Sequence, residues 1–169
     1  MRCRIAPCST PRPMTPDINI LVAASRTDHV HHKSAYGWLS GAMARCETGG
    51  SIEVLPMVAA GFLRMVTNAR VFVDPTPGDS AVAFLDSMLA VPGVELQELG
   101  REWPTLRTLV TEHQLAGNAI PDAWIAAAVR TLGSHLVTFD RSFNRWLSRA
   151  ELTVLDPTHQ DSVRQGVYR

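Results

Sequence analysis

The stretch Met14-Thr15-Pro16-Asp17-Ile18-Asn19-Ile20-Leu21-Val22-Ala23-Ala24 decides how the rest of the chain is read. From Ile18 to Ala24 it is the apolar run expected of a parallel strand buried on both faces, and an aspartate stands at its head. Two more aspartates occupy comparable changes of structure, Asp122 in GNAIPDAWIAAAV (117–129) and Asp140 in HLVTFDRSF (135–143). Far apart in sequence, the three can meet at one edge of a parallel sheet. Clustered carboxylates repel and raise one another's pKa. A hard divalent cation relieves that repulsion, and an all-oxygen ligand set suits magnesium, with manganese the alternative. Such a trio points to metal-assisted hydrolysis of a phosphate ester.

Outward from this stretch, strands and helices alternate. A helix is predicted over 28–43, with Val30, Tyr36, Trp38, Leu39 and Met43 as its apolar positions, and Gly49-Gly50 breaks it. SIEVLP (51–56) reads as a short strand, and 57–67 as a helix. A proline-rich loop over 74–78 leads to a helix capped by Asp79 or Ser80 and ending at Leu89. VELQEL (94–99) alternates like a strand, and a helix from about 102 to 115 follows. Pro121 is expected as the first residue of the next helix, which ends before Gly133. That puts Asp122 in the first turn, where the positive helix end favours a carboxylate. Residues 135–139 form a strand that delivers Asp140 at its C-terminal end, and 152–155 form the last strand. The pattern predicts an α/β sandwich with a mainly parallel sheet of about five strands flanked by helices. Ligands bind such sheets at the carboxyl ends of strands. Asp140 meets that condition, whereas Asp17 falls at the start of its predicted strand.

The bulk composition narrows the function classes. A chain of 169 residues is most simply one domain, and a formal net charge of +0 leaves any nucleic-acid contact to a local basic patch. No segment approaches the ~18 apolar residues of a membrane span. Cys3, Cys8 and Cys46 are odd in number and lack metal-ligand spacing, which argues against a disulfide framework or a zinc site and for a reduced, cytoplasmic setting. Residues 1–13 (MRCRIAPCSTPRP) have no apolar core of a signal peptide and read as a disordered extension, with a start at Met14 as the alternative. The folded domain is expected over 14–157 and a polar tail over 158–169.

Three short motifs occur in order: Asp17-Ile18-Asn19 leading an apolar run, Asp122-Ala123-Trp124-Ile125-Ala126-Ala127 opening a helix, and Thr138-Phe139-Asp140-Arg141-Ser142-Phe143 at a strand end. In these the chain resembles a PIN domain, and more narrowly the VapC-type toxin ribonucleases of type II toxin–antitoxin systems. The resemblance implies a magnesium-dependent endoribonuclease hydrolysing RNA phosphodiester bonds. Asp17, Asp122 and Asp140 would be its catalytic acids and metal ligands. Asn19 would orient Asp17, and Thr138 would orient Asp140. The resemblance also places the first Asp early in the first strand, from which the sheet's twist would bring it to the acidic groove. A cognate antitoxin is implied as partner, seated against the helices 57–67 and 79–90, together with a homodimer. One departure stands out. The family carries a second acid, a Glu, in a segment that here reads Leu55-Pro56-Met57-Val58-Ala59-Ala60-Gly61-Phe62-Leu63-Arg64. Pro56 and Arg64 match in register, so Gly61 stands where the Glu is expected. Ser142 likewise stands where many relatives carry another Asp. Fewer carboxylates suit one cation better than two.

Other readings accompany these residues. An Asp at a helix start is commonly a cap, an Asp after a strand commonly forms a turn, and Asp17 alone would be a surface acid. The lost Glu makes a catalytically degenerate PIN domain that binds RNA or protein the second hypothesis, and a metal-dependent phosphatase the third. His29, His31 and His32 would lie on different faces of a helix, which argues against a metal cluster. The four tryptophans read as core or interface residues. Arg141, Arg145 and Arg149 recur at helical spacing and form either a phosphate-binding stripe or a solvated face. Arg64 is either a contact near the groove or a solvated helix residue.

Overall fold

The computed structural model describes residues 11–156. Cys3, Cys8 and the expected tail 158–169 lie outside these residues, as does most of the expected extension 1–13. Five strands form one sheet: β1 (Met14–Pro16), β2 (Ile52–Val54), β3 (Val94–Leu96), β4 (His135–Thr138) and β5 (Leu152–Val154). Their order is β3-β2-β1-β4-β5 and every neighbouring pair is parallel. Pairs of helices make the crossovers. α1 (Ile18–Ser25) and α2 (His32–Cys46) link β1 to β2, and α3 (Pro56–Val66) and α4 (Gly78–Leu89) link β2 to β3. α5 (Trp103–Glu112) and α6 (Ala119–Leu132) link β3 to β4, and a 3-10 turn over Arg141–Arg145 precedes β5. The expected α/β sandwich with a parallel five-stranded sheet is therefore the fold observed. From β1 the chain steps outward through β2 and β3, then returns to the far side of β1 as β4. The direction of winding thus reverses between β1 and β4, the place where parallel sheets open a crevice at their carboxyl edge.

The apolar run 18–24 is not a strand. It is helix α1, and the strand is the shorter segment before it. Asp17 ends the strand and starts the helix. Its backbone is extended (φ −79°, ψ 164°), its N–H donates to Val137 O at 2.9 Å, and its Oδ1 accepts the Ile18 N–H at 2.7 Å as an N-cap. Ile20, Leu21, Val22, Ala23 and Ala24 are all buried, because α1 packs among α2, α3 and β4. A helix enclosed on every side is apolar all round, so its sequence has the same unbroken run as a doubly buried strand. Asp17 is consequently at the carboxyl edge of β1. The mismatch seen in the sequence, and the early-strand placement implied by the resemblance, both disappear.

Other elements shift by smaller amounts. α2 begins at His32 and not at Asp28, which pairs with Arg26 at 2.7 Å, while Val30 stays 86% exposed outside the helix. Only Val94–Leu96 of VELQEL is strand, and it lies at the sheet edge. Pro121 is the third residue of α6, still in the first turn where its missing N–H breaks no helical bond, and Asp122 keeps its first-turn place. The arginine stripe does not exist as one helical face, because 141–145 is a 3-10 turn and Arg149 lies in the turn beyond it. Residues 11–13 lead into β1, and Pro13 O accepts the His135 N–H at 2.8 Å.

α6 sets how closely the layers approach. Ala123, Ala126, Ala127 and Ala128 are fully buried, and the helix meets β4, α3 and α5 at once. Small side chains allow three neighbours around one helix. Gly133 ends α6 at φ 67°, in the left-handed region, and turns the chain into β4. Ala127→Leu should therefore overpack this junction and destabilise the protein by about 1–3 kcal/mol in urea unfolding.

Candidate active site

The carboxyl edges of β1 and β4 carry one hydrogen-bonded network. Asp17 is 5% exposed. Its Oδ2 accepts from Thr138 Oγ1 at 2.6 Å and from Asn19 Nδ2 at 2.8 Å. Thr138 Oγ1 in turn accepts from Asn19 Nδ2 and from the Asp140 N–H, both at 2.9 Å. The Asn19 Oδ1 accepts the Phe139 N–H at 3.1 Å. Asn19 in the first turn of α1 is thus stapled to the end of β4, and the Thr138 hydroxyl uses its one proton and both lone pairs. With Ile18 N on Oδ1, three donors address the Asp17 carboxylate, leaving a lone-pair site on Oδ1 for a further partner.

Asp140 follows β4 and caps the 3-10 turn, its Oδ1 accepting the Ser142 N–H at 2.7 Å. Asp122, half-buried, enters from the first turn of α6. Electrostatics tie the three acids together. Burial pushes the Asp17 carboxyl up to about 6, against the hydrogen bonds from Thr138 and Ile18, and the charges of Asp122 and Asp140 push it further the same way. Asp122 is also raised, by burial first and then by Asp140, while the positive charge of Arg145 pulls it down. The trio predicted from the sequence is therefore one electrostatic cluster. It is not a closed cage: among the described residues, no three His, Cys, Asp or Glu side chains stand close enough to hold a metal ion between them. The donor set is still of the right kind. It is all oxygen, its buried member is held ready by three donors, and its raised pKa marks a carboxylate short of positive charge. Magnesium needs only one or two such carboxylates beside its own waters.

The remaining predicted residues fall variously. The Ser142 N–H supports Asp140, and its buried hydroxyl lacks a hydrogen-bond partner among the described residues. Arg64 is exposed in the last turn of α3, and the cation whose charge reaches Asp122 is Arg145. Gly61 is buried against α1, and a Cβ there would lie 2.4 Å from Ile18 Cδ1. The isoleucine next to Asp17 thus fills the space that a side chain at position 61 would enter. The histidines are not helical neighbours. His32 Nδ1 is 2.9 Å from Ala23 O, and His31 stacks on Phe139 with ring centroids 4.8 Å apart. Trp146 is core, whereas Trp103 and Trp124 are 63% and 40% exposed, and Trp124 Nε1 donates to Glu102 at 2.8 Å. Arg145 is set apart from Arg141 and Arg149 by the charge it brings to Asp122, and its place five residues after Asp140, inside the same short turn, is the signal the sequence carries for it.

Comparison with known proteins gives the same family. The PIN domain family matches residues 14–146. Ribonuclease VapC31 of Mycobacterium tuberculosis is 36% identical over 135 residues, covering 78% of this chain and 92% of the relative. Ribonuclease VapC25 of the same species is 35% identical over 133 residues, with the same coverage. A solved structure of VapBC2 from Rickettsia felis, bound to a DNA fragment from its promoter, aligns with a TM-score of 0.57 at 21% identity, covering 83% of this chain and 96% of that one, and so shares the fold. By domain match, identity and architecture together, the chain belongs to the PIN-domain family and is homologous to the VapC-type toxins of toxin–antitoxin systems.

Proposed function

We propose that the protein is a magnesium-dependent endoribonuclease, the toxin of a toxin–antitoxin pair, whose site is Asp17, Asp122 and Asp140. The observation that carries this reading is the Asp17 carboxyl, buried, triply hydrogen-bonded and yet raised to about 6. A carboxylate kept only for structure is normally lowered by its donors, whereas one raised by burial beside two other acids is arranged for a cation. Asp17 and Asp122 would hold magnesium, with Asp140 as ligand directly or through water, and manganese is the alternative ion. When bound, the ion polarises a phosphoryl oxygen and acidifies a water. The chain's own work is orientation and proton transfer. Asn19 and Thr138 fix the Asp17 rotamer, so that Oδ1 faces its open position without rearrangement. Asp140 Oδ1 is engaged by Ser142 N, which leaves Oδ2 to take the proton of the attacking water. The names of the relatives support RNA as substrate, and an antitoxin that covers the acids, together with a homodimer, follows from the same kinship.

Gly61 favours a second reading, a domain that binds RNA or protein without cutting it. Magnesium titration by calorimetry separates the two, since absence of binding by the wild-type protein would favour the scaffold. Asp17→Asn should lower RNA cleavage by more than about 100-fold, because even outer-shell partners of metal ligands typically contribute 10–100-fold. Full metal-dependent cleavage by Asp17→Asn would sink the ribonuclease reading.

The pH dependence has a definite sign. A carboxyl whose folded pKa lies above its unfolded value of 3.8 stabilises the fold at low pH, and that stabilisation is lost as pH rises through about 6. Metal-free protein should thus gain thermal stability from pH 7.5 to pH 5. Magnesium, which requires the ionised form, should bind progressively more weakly below about pH 6. Scanning calorimetry with and without the ion reads both effects.

Gly61→Glu should destabilise the protein through the clash with Ile18, by about 1–3 kcal/mol as an overpacked site. The double change Ile18→Ala with Gly61→Glu should recover part of that loss and strengthen magnesium binding. Both effects are measurable by unfolding and calorimetry on the same samples.

A further inference from the structure

We propose that Arg145 is the phosphate-binding arm of this site, the residue that seats an RNA backbone phosphate beside the three acids. The inference deepens the ribonuclease reading and rests on it. Asp140 and Arg145 are the two ends of one short turn. Asp140 caps the turn through Ser142 N at 2.7 Å, and Arg145 closes it, its Nε donating to Ser142 O at 3.1 Å. The turn is anchored by Phe143 and Trp146, which are 1% and 2% exposed and meet edge-on at 6.1 Å. The Arg145 guanidinium lies over the Trp146 ring, 4.4 Å from its centroid. Nε is thereby used, which leaves the two terminal nitrogens for an oxyanion. A planar fork matches two phosphate oxygens, and a side chain already held at Nε and against a ring has less freedom to lose on binding.

Its placement is what a phosphodiester needs. Three carboxylates outweigh one divalent ion, so a cation at the cluster's border helps to bring the polyanion in. Arg145 is placed for this, at the far end of the same five-residue turn that Asp140 caps. Arg149, exposed in the next turn, is not among the charges that act on Asp17 or Asp122 and serves as a charge-matched control.

The test is binding of a single-stranded RNA oligonucleotide to the non-cleaving Asp17→Asn protein, followed by fluorescence anisotropy across a salt series. Arg145→Met should weaken binding about tenfold and reduce the salt slope by about 0.7, the value for one phosphate contact on a single strand. Arg149→Met should leave both close to the parent, and Arg145→Lys should fall between, because a lysine keeps the charge and loses the fork. A single methylphosphonate moved along the oligonucleotide should find one linkage whose neutralisation weakens binding to the parent and no longer matters in Arg145→Met. Equal salt slopes for the Arg145 and Arg149 variants would overturn the assignment. So would tighter magnesium binding in Arg145→Met with unchanged RNA binding, which would make Arg145 a counter-ion of the acids only. If wild-type protein cuts RNA while binding ignores Arg145, the arm alone falls. If the wild type cuts no RNA and the Asp17→Asn protein binds none, the ribonuclease reading falls and takes the arm with it.

Discussion

Everything at the carboxyl edge of the sheet depends on the hydrogen bonds around Asp17. The Thr138 hydroxyl donates to the carboxylate and accepts from Asn19 and from the backbone of Asp140, so one atom joins the ends of β1 and β4 and the start of α1. This junction lies where the winding of the sheet reverses, and it would otherwise leave the first N–H groups of α1 and the last residues of two strands without partners. An ion-paired or purely structural Asp with three donors would be expected to have a low pKa. Here desolvation prevails and the carboxyl rises to about 6. The network is therefore rigid in geometry and unsatisfied in charge, the combination expected of a group that awaits a cation.

The acids were legible in the sequence because each sits in a short context with its own physical signature: an Asp before an apolar run, an Asp in a helix's first turn after a proline, and an Asp just past a buried strand. The parallel sheet was legible from alternation. What was not legible was the nature of the run after Asp17. Ile18, Ile20 and Val22 are β-branched and the run is short, so local preference pointed to a strand. The outcome was set by tertiary enclosure: α1 is surrounded, and Asp17 supplies the cap that starts it. Read as a strand, the run puts Asp17 at the amino edge of the sheet, whereas the strand before it puts Asp17 at the carboxyl edge of β1. The arginines show the same limit. Spacing alone implied a helical stripe, whereas a capped 3-10 turn around Phe143 and Trp146 isolates Arg145 and gives it a fixed orientation.

Gly61 and Ile18 form a second pair that no single position reveals. Read alone, Gly61 is an absent carboxylate. In the structure it is a close approach of α3 to α1, with an isoleucine filling the space, so that any side chain there requires Ile18 to move aside. The absence is thus built into the packing of two helices.

That packing bears on how many cations the site can use. Asp17 and Asp122 are both raised, so positive charge is wanted; Arg145 already supplies some of it at Asp122. One divalent ion together with one guanidinium would balance three carboxylates, whereas a second divalent ion would leave excess positive charge. With apolar packing at Gly61 in the place of a further acid, a single ion with an arginine at its flank is the arrangement this chain's residues favour. In the proposed site, phosphate neutralisation that a second metal ion would share would fall to the guanidinium held against Trp146.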